Sequence, residues 1–142
     1  MRITDVLRRK GDLVVTIHPQ DTVRALLDAL AQYKVGALVV TGDSGTVDGI
    51  VSERDVVRHL QARGASVLDE PVSSIMTSPV HTAPFETTLE ELMVLMTEER
   101  IRHVPVVVDG RLRGIVSIGD VVKHRIEELQ SERDQLTAYI TG

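Results

Sequence analysis

The sequence predicts an α/β (α+β) fold of two β-α-β-β-α repeats, packed sheet to sheet with pseudo-twofold symmetry and followed by an extended C-terminal helix. The first supporting observation is an internal repeat. GIVSERDVV at positions 49–57 returns as GIVSIGDVV at positions 114–122, an offset of 65 residues (114 − 49). The second is that helical and β-type hydrophobic patterns follow the same order in both halves. The third is size, because a half of about 60 residues is too small for a comfortable core of its own.

The composition restricts the class of protein further. With 42% hydrophobic but only 2% aromatic residues, the core must be aliphatic. A net charge of −5 and few, scattered aromatic residues argue against nucleic-acid binding, which needs a basic face and stacking platforms. The chain has no cysteine, no apolar signal core after Met1, and no apolar run near the ~20 residues of a membrane span. We therefore expect a cytoplasmic protein with no nucleic-acid or membrane partner.

The first repeat opens with an amphipathic lead-in at residues 3–7. Residues 13–17 are apolar and β-branched, which predicts a short strand. Asp21 is expected to cap the helix that follows. The apolar positions of that helix have the i, i+3, i+4, i+7 spacing of one buried face: Val23, Leu26, Leu27 and Leu30.

Two more strands and a helix complete this repeat. Residues 35–40 and 47–51 are apolar and are separated by GDSG at positions 42–45, so they are expected to form a hairpin. Ser52 then begins a helix, and a linker at residues 64–74 leads to the second half.

The second repeat has the same order of elements. A lead-in at residues 72–76 echoes the first one, and residues 79–82 predict a short strand. Thr87 and Glu90 are expected to form a capping box. The helix behind this box again has helically spaced apolar positions: Leu89, Leu92, Met93 and Met96.

Residues 104–108 and 112–116 predict a second hairpin, with Asp109-Gly110 as its turn. The final helix begins near Ile118. Its apolar stripe has nearly the a/d spacing of a coiled coil: Val122, Ile126, Leu129, Leu136 and Ile140. This predicts a homodimer contact, and the alternative is that the stripe folds back on its own domain. The chain thus divides into repeat one at residues 1–66, repeat two at 67–128 and a helical extension at 129–142.

A tandem β-α-β-β-α repeat that carries G-h-h-S/T-x-x-D, where h is hydrophobic, resembles the CBS-domain pair, also called the Bateman module. The likeness covers nearly the whole chain, from about residue 3 to residue 124. It includes both lead-ins, the segment RIRHVPVV at positions 100–107 and both copies of the motif. The long C-terminal helix lies beyond the family core. The resemblance implies a stand-alone regulatory module rather than an enzyme.

Members of this family bind AMP, ADP, ATP, adenine dinucleotides or S-adenosylmethionine in clefts between the repeats. The resemblance implies that the acid of the motif binds the ribose hydroxyls, that the serine lies near ribose and phosphate, and that both repeats build each pocket crosswise. It predicts an adenine nucleotide ligand (AMP, ADP or ATP, with NAD and S-adenosylmethionine as alternatives) and no required cofactor. Binding would change the arrangement of the repeats or of the dimer, and so signal to an unidentified regulated protein.

The residues of the first predicted site suit such a ligand. A carboxylate such as Asp55 accepts both hydroxyls of a vicinal diol, and Ser52 stands at a helix start, where free N–H groups favour an anion. Arg54 adds a forked cationic donor for phosphate. Carried over crosswise, the resemblance assigns to this site Ser52, Arg54 and Asp55 from repeat one and Val80, His81, Thr82, Arg102, His103 and Pro105 from repeat two.

The second predicted site carries less charge. The resemblance assigns to it Thr16, Ile17, Gly36 and Ala37 from repeat one and Ser117 and Asp120 from repeat two. Gly119 stands where the first motif has Arg54, and Gly36-Ala37 replaces the basic pair of repeat two. We therefore expect the Asp55 site to prefer phosphorylated ligands. The Asp120 site is expected to be weaker or to take a less charged ligand.

Two alternatives to nucleotide sensing follow from the same residues. Both copies of the motif are also [ST]-x-x-[DE] capping boxes, which need no ligand, so the chain could be a ligand-free dimerisation or protein-interaction module. A hydrolase that uses Asp55 and Asp120 as acid and base is disfavoured, because the two acids hold equivalent places in the repeats. No P-loop, GxGxxG or nucleophile elbow accompanies them, so we expect no catalytic residues.

The histidines do not predict a metal site. His59 and His124 each lie four residues after the acid of the motif and share a helix face with it, but no third ligand stands at a recognisable spacing. The simplest interpretation is an exposed pair on each helix. His103 is the histidine that we expect beside the ligand, as a neighbour rather than an acid–base catalyst.

Overall fold

The computed structural model describes residues 1–11 and 14–142, so Leu13 of the first predicted strand lies outside the described residues. The helices of repeat one are α1 (Ile3–Lys10), α2 (Val23–Tyr33) and α3 (Glu53–Arg63). Its strands are β1 (Thr16–Ile17), β2 (Ala37–Thr41) and β3 (Val47–Ser52). They form one sheet in the order β1-β2-β3, in which β1 is parallel to β2 and β2 is antiparallel to β3.

Repeat two follows after two short 3-10 helices at Ala65–Asp69 and Val72–Ser74. Its elements are α4 (Leu89–Glu99), β4 (His103–Val108), β5 (Arg111–Ser117) and α5 (Ile118–Thr141). The strands β4 and β5 pair as the predicted antiparallel hairpin, with Asp109 and Gly110 at positive φ (53° and 76°) in the turn. The predicted mixed fold with a long C-terminal helix is confirmed.

The strand predicted at residues 79–82 is not formed. Its place beside β4 is taken by a single parallel bridge at Ala83, whose N–H donates to the Pro105 carbonyl at 3.1 Å. Pro79 begins the predicted strand and would face β4 like Ala83, because alternate residues of a strand face the same neighbour. It has no amide hydrogen, so a longer ladder would lack its first donor.

Two helix caps lie one residue beyond their predicted positions. The observed caps are Thr22 for α2 and Thr88 with Glu91 for α4, in place of Asp21 and of Thr87 with Glu90. In each case adjacent polar residues fit the same capping pattern, so spacing alone allowed either register. The Asp21 carboxylate instead accepts from the His18 N–H at 3.1 Å.

The lead-ins are exchanged between the two repeats. Helix α1 packs into the core of repeat two, where its Ile3 and Val6 are fully buried. The second lead-in packs into the core of repeat one through Val72 and Ile75. Each core therefore contains one element from the other half of the chain.

The first glycine of each repeated motif makes room for the lead-in of the other repeat. A Cβ on Gly114 would lie 2.8 Å from Leu7 Cδ2, and a Cβ on Gly49 would lie 2.7 Å from Met76 Sδ. Both distances are shorter than packed carbon and sulfur atoms tolerate. Leu7 and Met76 thus hold equivalent places, and the exchange brings each lead-in beside the motif of the opposite repeat.

Helix α5 extends beyond the packed repeats, and its apolar stripe is exposed in the single chain. Ile126 and Leu129 are about half exposed, while Leu136 and Ile140 are 63% and 79% exposed. The alternative in which the stripe folds back on its own domain is therefore not observed. A search of the described residues finds no helix with the length and apolar character to cross a lipid bilayer.

Candidate functional site

A cavity of about 220 Å³ opens between the two repeats. Repeat one contributes the start of β2, the end of β3 and the first turns of α3, and repeat two contributes the segment between α4 and β4. The lining residues are Gly36, Ala37, Ile50, Ser52, Glu53, Arg54, Asp55, Arg58, Thr77, Arg100, Ile101, Arg102 and His103. Both halves of the chain thus supply polar and aliphatic groups to one site.

Ser52 and Asp55 form a capping box at the start of α3. The N–H and the hydroxyl of Ser52 donate to Asp55 Oδ2 at 2.8 and 3.1 Å, and the Asp55 N–H donates to Ser52 Oγ at 3.3 Å. Within the described residues, every side-chain hydrogen bond accepted by Asp55 ends at Oδ2. The other oxygen, Oδ1, remains available to a ligand, so the capping and ligand-binding interpretations are compatible.

Four arginines line the same cavity: Arg54, Arg58, Arg100 and Arg102. In the part of the chain that the structure describes, none of the four takes part in an ion pair. Guanidinium groups with unused donors suit an anionic ligand, and their forked geometry suits phosphate in particular. The electrostatics of the cavity therefore favour a phosphorylated molecule.

Two of these arginines were missed by sequence reasoning. Arg58 follows Arg54 by four residues on α3, so helical spacing could have indicated that the two share a face. Arg100 ends α4 in the left-handed conformation, with φ 55°, and belongs to no binding pattern that we recognised in the sequence. Only the packing of repeat two against repeat one brings Arg100 to the cavity.

The structure brings together some residues of the first predicted site and leaves others apart. Those that line the cavity are Ser52, Arg54, Asp55, Arg102 and His103. Those that do not are Val80, His81, Thr82 and Pro105. His81 Nε2 instead lies 3.4 Å from Glu99 Oε2, and Pro105 is buried within β4. Their membership of a binding site stays a prediction.

The residues of the second predicted site are spread over different surroundings. Gly36 and Ala37 line the same cavity as Asp55. Thr16 lines a separate groove beside the hairpin turns, and Ile17 is buried. Ser117 and Asp120, like Ile17, line neither of these spaces. A second binding site made of these six residues also stays a prediction.

Asp120 has the same capping geometry as Asp55 but a further partner. The Ser117 N–H donates to Asp120 Oδ2 at 2.9 Å. Lys10 Nζ, from α1, donates to the same oxygen at 2.7 Å and to the Ile115 carbonyl at 2.9 Å. Burial raises the pKa of Asp120, but the hydrogen bonds from Lys10 and Ser117 outweigh burial and hold the pKa below its ordinary value. Sequence reasoning missed Lys10, since 110 residues separate it from Asp120.

His103 lies close enough to both motifs to sense their charges. Burial lowers its pKa most, and the positive charges of Lys10 and Arg102 lower it further, while Asp120 and Glu53 act in the opposite direction. The net result is a pKa below the ordinary value for histidine. The imidazole is therefore neutral at pH 7 and offers a hydrogen bond rather than a charge.

The histidines on α3 and α5 make structural contacts. His124 was expected to be exposed but is buried, and its Nδ1–H donates to the Asp120 carbonyl at 2.8 Å. His59 Nδ1 lies 3.1 Å from a guanidinium nitrogen of Arg63. Across residues 1–11 and 14–142, no group of three or more His, Asp or Glu side chains is placed to hold a metal ion.

Comparison with known proteins gives a family match along most of the chain. The family model described as CBS domain matches twice, at residues 4–62 and 72–127. The chain is also 38% identical to "CBS domain-containing protein CBSX3, mitochondrial" from Arabidopsis thaliana. That alignment of 148 residues covers 99% of this chain and 72% of the plant protein.

Solved structures show the same architecture. The CBS-domain containing protein ATU1752 from Agrobacterium tumefaciens is 45% identical with a TM-score of 0.86, over 88% of this chain and 99% of that chain. The CBS domain pair of protein MJ0100, in complex with 5′-methylthioadenosine and S-adenosyl-L-methionine, is 23% identical with a TM-score of 0.77. This second match covers 87% of this chain and 98% of that chain, and it is a likeness of fold.

Proposed function

Because the chain belongs to the CBS domain family, we propose that it is a regulatory module that binds an adenine nucleotide in the cleft between its two repeats. The observation that carries this proposal is the cavity, which combines the available Oδ1 of Asp55 with four arginines. The carboxylate suits ribose hydroxyls, and the arginines suit phosphate. Together they fit a nucleotide better than a nucleoside or an inorganic anion.

The charge of the cavity selects among adenine ligands. Four guanidinium groups favour the anionic phosphates of AMP, ADP and ATP over S-adenosylmethionine, which carries a sulfonium cation. No Phe, Tyr or Trp is among the described residues that line the cavity. The adenine ring would therefore pack on aliphatic side chains, for which Ala37, Ile50 and Ile101 are available. The adenosine derivatives bound by MJ0100 belong to the same chemical class.

A nucleotide in this cleft would regulate by linking the two repeats. It would contact α3 of repeat one and the segment before β4 of repeat two, and so favour the arrangement in which Asp55 and Arg102 line one space. The ligand shifts the equilibrium only by its difference in affinity for the two arrangements. A regulated protein that contacts one arrangement would sense the nucleotide. We place this activity in the cytoplasm.

The exposed stripe of α5 favours a second function, the assembly of two copies of the chain. Leu129, Leu136 and Ile140 present apolar surface at nearly a/d spacing, and an identical helix offers the same face in return. Dimerisation is the alternative function if the cavity binds no ligand. Analytical ultracentrifugation tests it: we expect a dimer for the wild type and a monomer for Leu136→Glu. A monomeric wild type would contradict this second function.

A thermal-shift panel of AMP, ADP, ATP, NAD, S-adenosylmethionine and GTP tests the nucleotide proposal. We expect AMP, ADP and ATP to stabilise the fold by about 2.7 kcal/mol at a hundredfold excess over Kd, and pyrophosphate alone to give no comparable shift. Asp55→Ala should abolish the shift. Asp120→Ala is the matched control, because it makes the same change at the equivalent position, and it should keep the shift. The absence of a shift with every adenine compound would contradict nucleotide sensing.

A further inference from the structure

We propose that Lys10 pairs with the acid of the second motif in place of a ligand and so limits the protein to one nucleotide per chain. This inference rests on the proposed function and adds which of the two repeated motifs is open to a nucleotide. It concerns the contact of Lys10 with Asp120, which joins the first helix of the chain to the motif of repeat two.

The position of Lys10 is built into the fold. Its Nζ bridges Asp120 Oδ2 at 2.7 Å and the Ile115 carbonyl at 2.9 Å, and the two side chains of the ion pair are only 35% and 21% exposed. Leu7, one turn earlier in α1, is buried against Gly114. The helix therefore cannot carry Lys10 away without opening the core of repeat two. The ammonium is thereby held against the acid of the second motif, on the carboxylate oxygen that also caps the helix.

An ammonium group and a ribose compete for this carboxylate. Lys10 donates to Asp120 as a full positive charge, and a charge-assisted hydrogen bond of this kind is roughly twice as strong as one between neutral groups. A hydroxyl that approached the remaining oxygen, Oδ1, would meet a carboxylate whose charge Lys10 already balances, and a diol that needed both oxygens would have to displace Lys10. Displacement would also leave the Ile115 carbonyl without this donor.

In the described part of the chain, the cavity at Asp55 has no lysine in the position that Lys10 holds at Asp120. Leu7 and Met76 hold equivalent places against the glycines of the two motifs, so Lys10, three residues after Leu7, corresponds to Pro79. Proline has no side-chain donor. In the described ranges, Asp55 forms no ion pair with a lysine or arginine, and it lines the open cavity.

Isothermal titration calorimetry of the full chain with AMP tests the inference. We expect one AMP per chain for the wild type, two for Lys10→Met, and none for Asp55→Asn. The double variant with Lys10→Met and Asp55→Asn should bind one AMP, now at Asp120 and with lower affinity. Arg8→Met is the matched control, because it removes one positive charge from the same helix and should leave the stoichiometry at one.

Other stoichiometries would overturn the inference. One AMP per chain in both the wild type and Lys10→Met would overturn it and leave the proposed function intact. Two AMP in the wild type and one in Lys10→Met would make Lys10 a phosphate ligand instead. No AMP bound by either protein would overturn the inference together with the proposed function. If Lys10→Met melts below the titration temperature, Lys10→Gln replaces it, because it removes the charge but keeps a polar side chain.

Discussion

Asp55 and Asp120 stand at the same point of the two repeats and cap their helices alike, each accepting from a serine N–H, at 2.8 and 2.9 Å. Their surroundings differ. Asp55 lines a cavity with four arginines, whereas Asp120 is paired with Lys10. The repeated motif therefore determines a backbone and a cap. What the acid is free to bind depends on the group that another part of the chain brings to it.

The largest expected effect concerns the glycines in front of these motifs. A Cβ on Gly49 would lie 2.9 Å from the backbone oxygen of Thr77, whereas the three atoms nearest to a Cβ on Gly114 are all side-chain carbons of Leu7. Because backbone yields less readily than a side chain, Gly49→Ala should lower the free energy of unfolding by about 3 kcal/mol and Gly114→Ala by about 1 kcal/mol. Urea unfolding measures both losses, and equal or reversed losses would contradict this difference between the repeats.

The arginines of the first cleft provide the next comparison. Arg54→Gln should weaken AMP binding by about ten- to a hundredfold, because a hydrogen bond to a charged group contributes about 1.5–3 kcal/mol. Gly119 holds the equivalent position in repeat two, so no substitution there removes a charge. Arg24→Gln is the control, since Arg24 lies outside the cavity and pairs with Asp69 on the surface. Calorimetric affinities that fall equally in both variants would argue against a specific role of Arg54.

Acid should reveal the ion pair of Asp120 with Lys10, which has no counterpart at Asp55 among the described residues. Burial raises the pKa of Asp120, but the hydrogen bonds from Lys10 and Ser117 hold this pKa below its ordinary value. The Lys10–Asp120 ion pair therefore stabilises the fold fully at pH values above the ordinary carboxyl pKa. This stabilisation is lost as the pH falls through the lower, folded-state pKa. Lys10→Met should therefore cost about 1 kcal/mol more at pH 7 than in acid, where only the hydrogen bond of Lys10 to the Ile115 carbonyl remains to be lost. Urea unfolding at both pH values is the measurement, and an equal loss at the two pH values would contradict a role of the ion pair.

The smallest expected effect belongs to His103, which senses charges from both repeats. Burial, and then Lys10 and Arg102, lower its pKa against the opposing effects of Asp120 and Glu53, so the unfolded chain takes up the proton more readily than the folded one. Stability should therefore fall as the pH drops through the ordinary histidine range, and it should not change from this source above that range. Thermal melting from pH 5 to pH 8 tests this, and His103→Gln should flatten the profile. If His103→Gln shows the same pH profile as the wild type, other groups cause the pH dependence and the role of His103 is contradicted.

Short-range patterns were sufficient to predict most of the fold. The order of elements, both hairpins and both serine–aspartate capping boxes depend on spacings of a few residues. The caps at Thr22 and Thr88 were missed by one residue, because neighbouring polar side chains satisfy the same pattern. The prediction of a strand at residues 79–82 was wrong, and Pro79 at its start has no N–H to donate to a ladder.

The candidate site was predictable only where a motif carried it. Ser52, Arg54 and Asp55 belong to the repeated segment, and Arg102 and His103 belong to the segment that carries the family resemblance. Arg100 lies in the same segment and Arg58 lies one helical turn after Arg54, but neither was assigned to the site from the sequence. Lys10 reaches the second motif only through packing. Gly36 and Ala37 were assigned to the second site, yet they line the cavity that Asp55 also lines.

By itself, the sequence determined the internal repeat, most of the secondary structure and the presence of an acid at the start of two equivalent helices, because each depends on residues close together in the chain. Only the tertiary structure decided that the lead-ins cross between the repeats. That exchange pairs Lys10 with Asp120, while Pro79, the counterpart of Lys10, brings no charge to the first cleft. The physical reason is that a contact across 110 residues depends on how two cores pack together, and no local spacing specifies that packing.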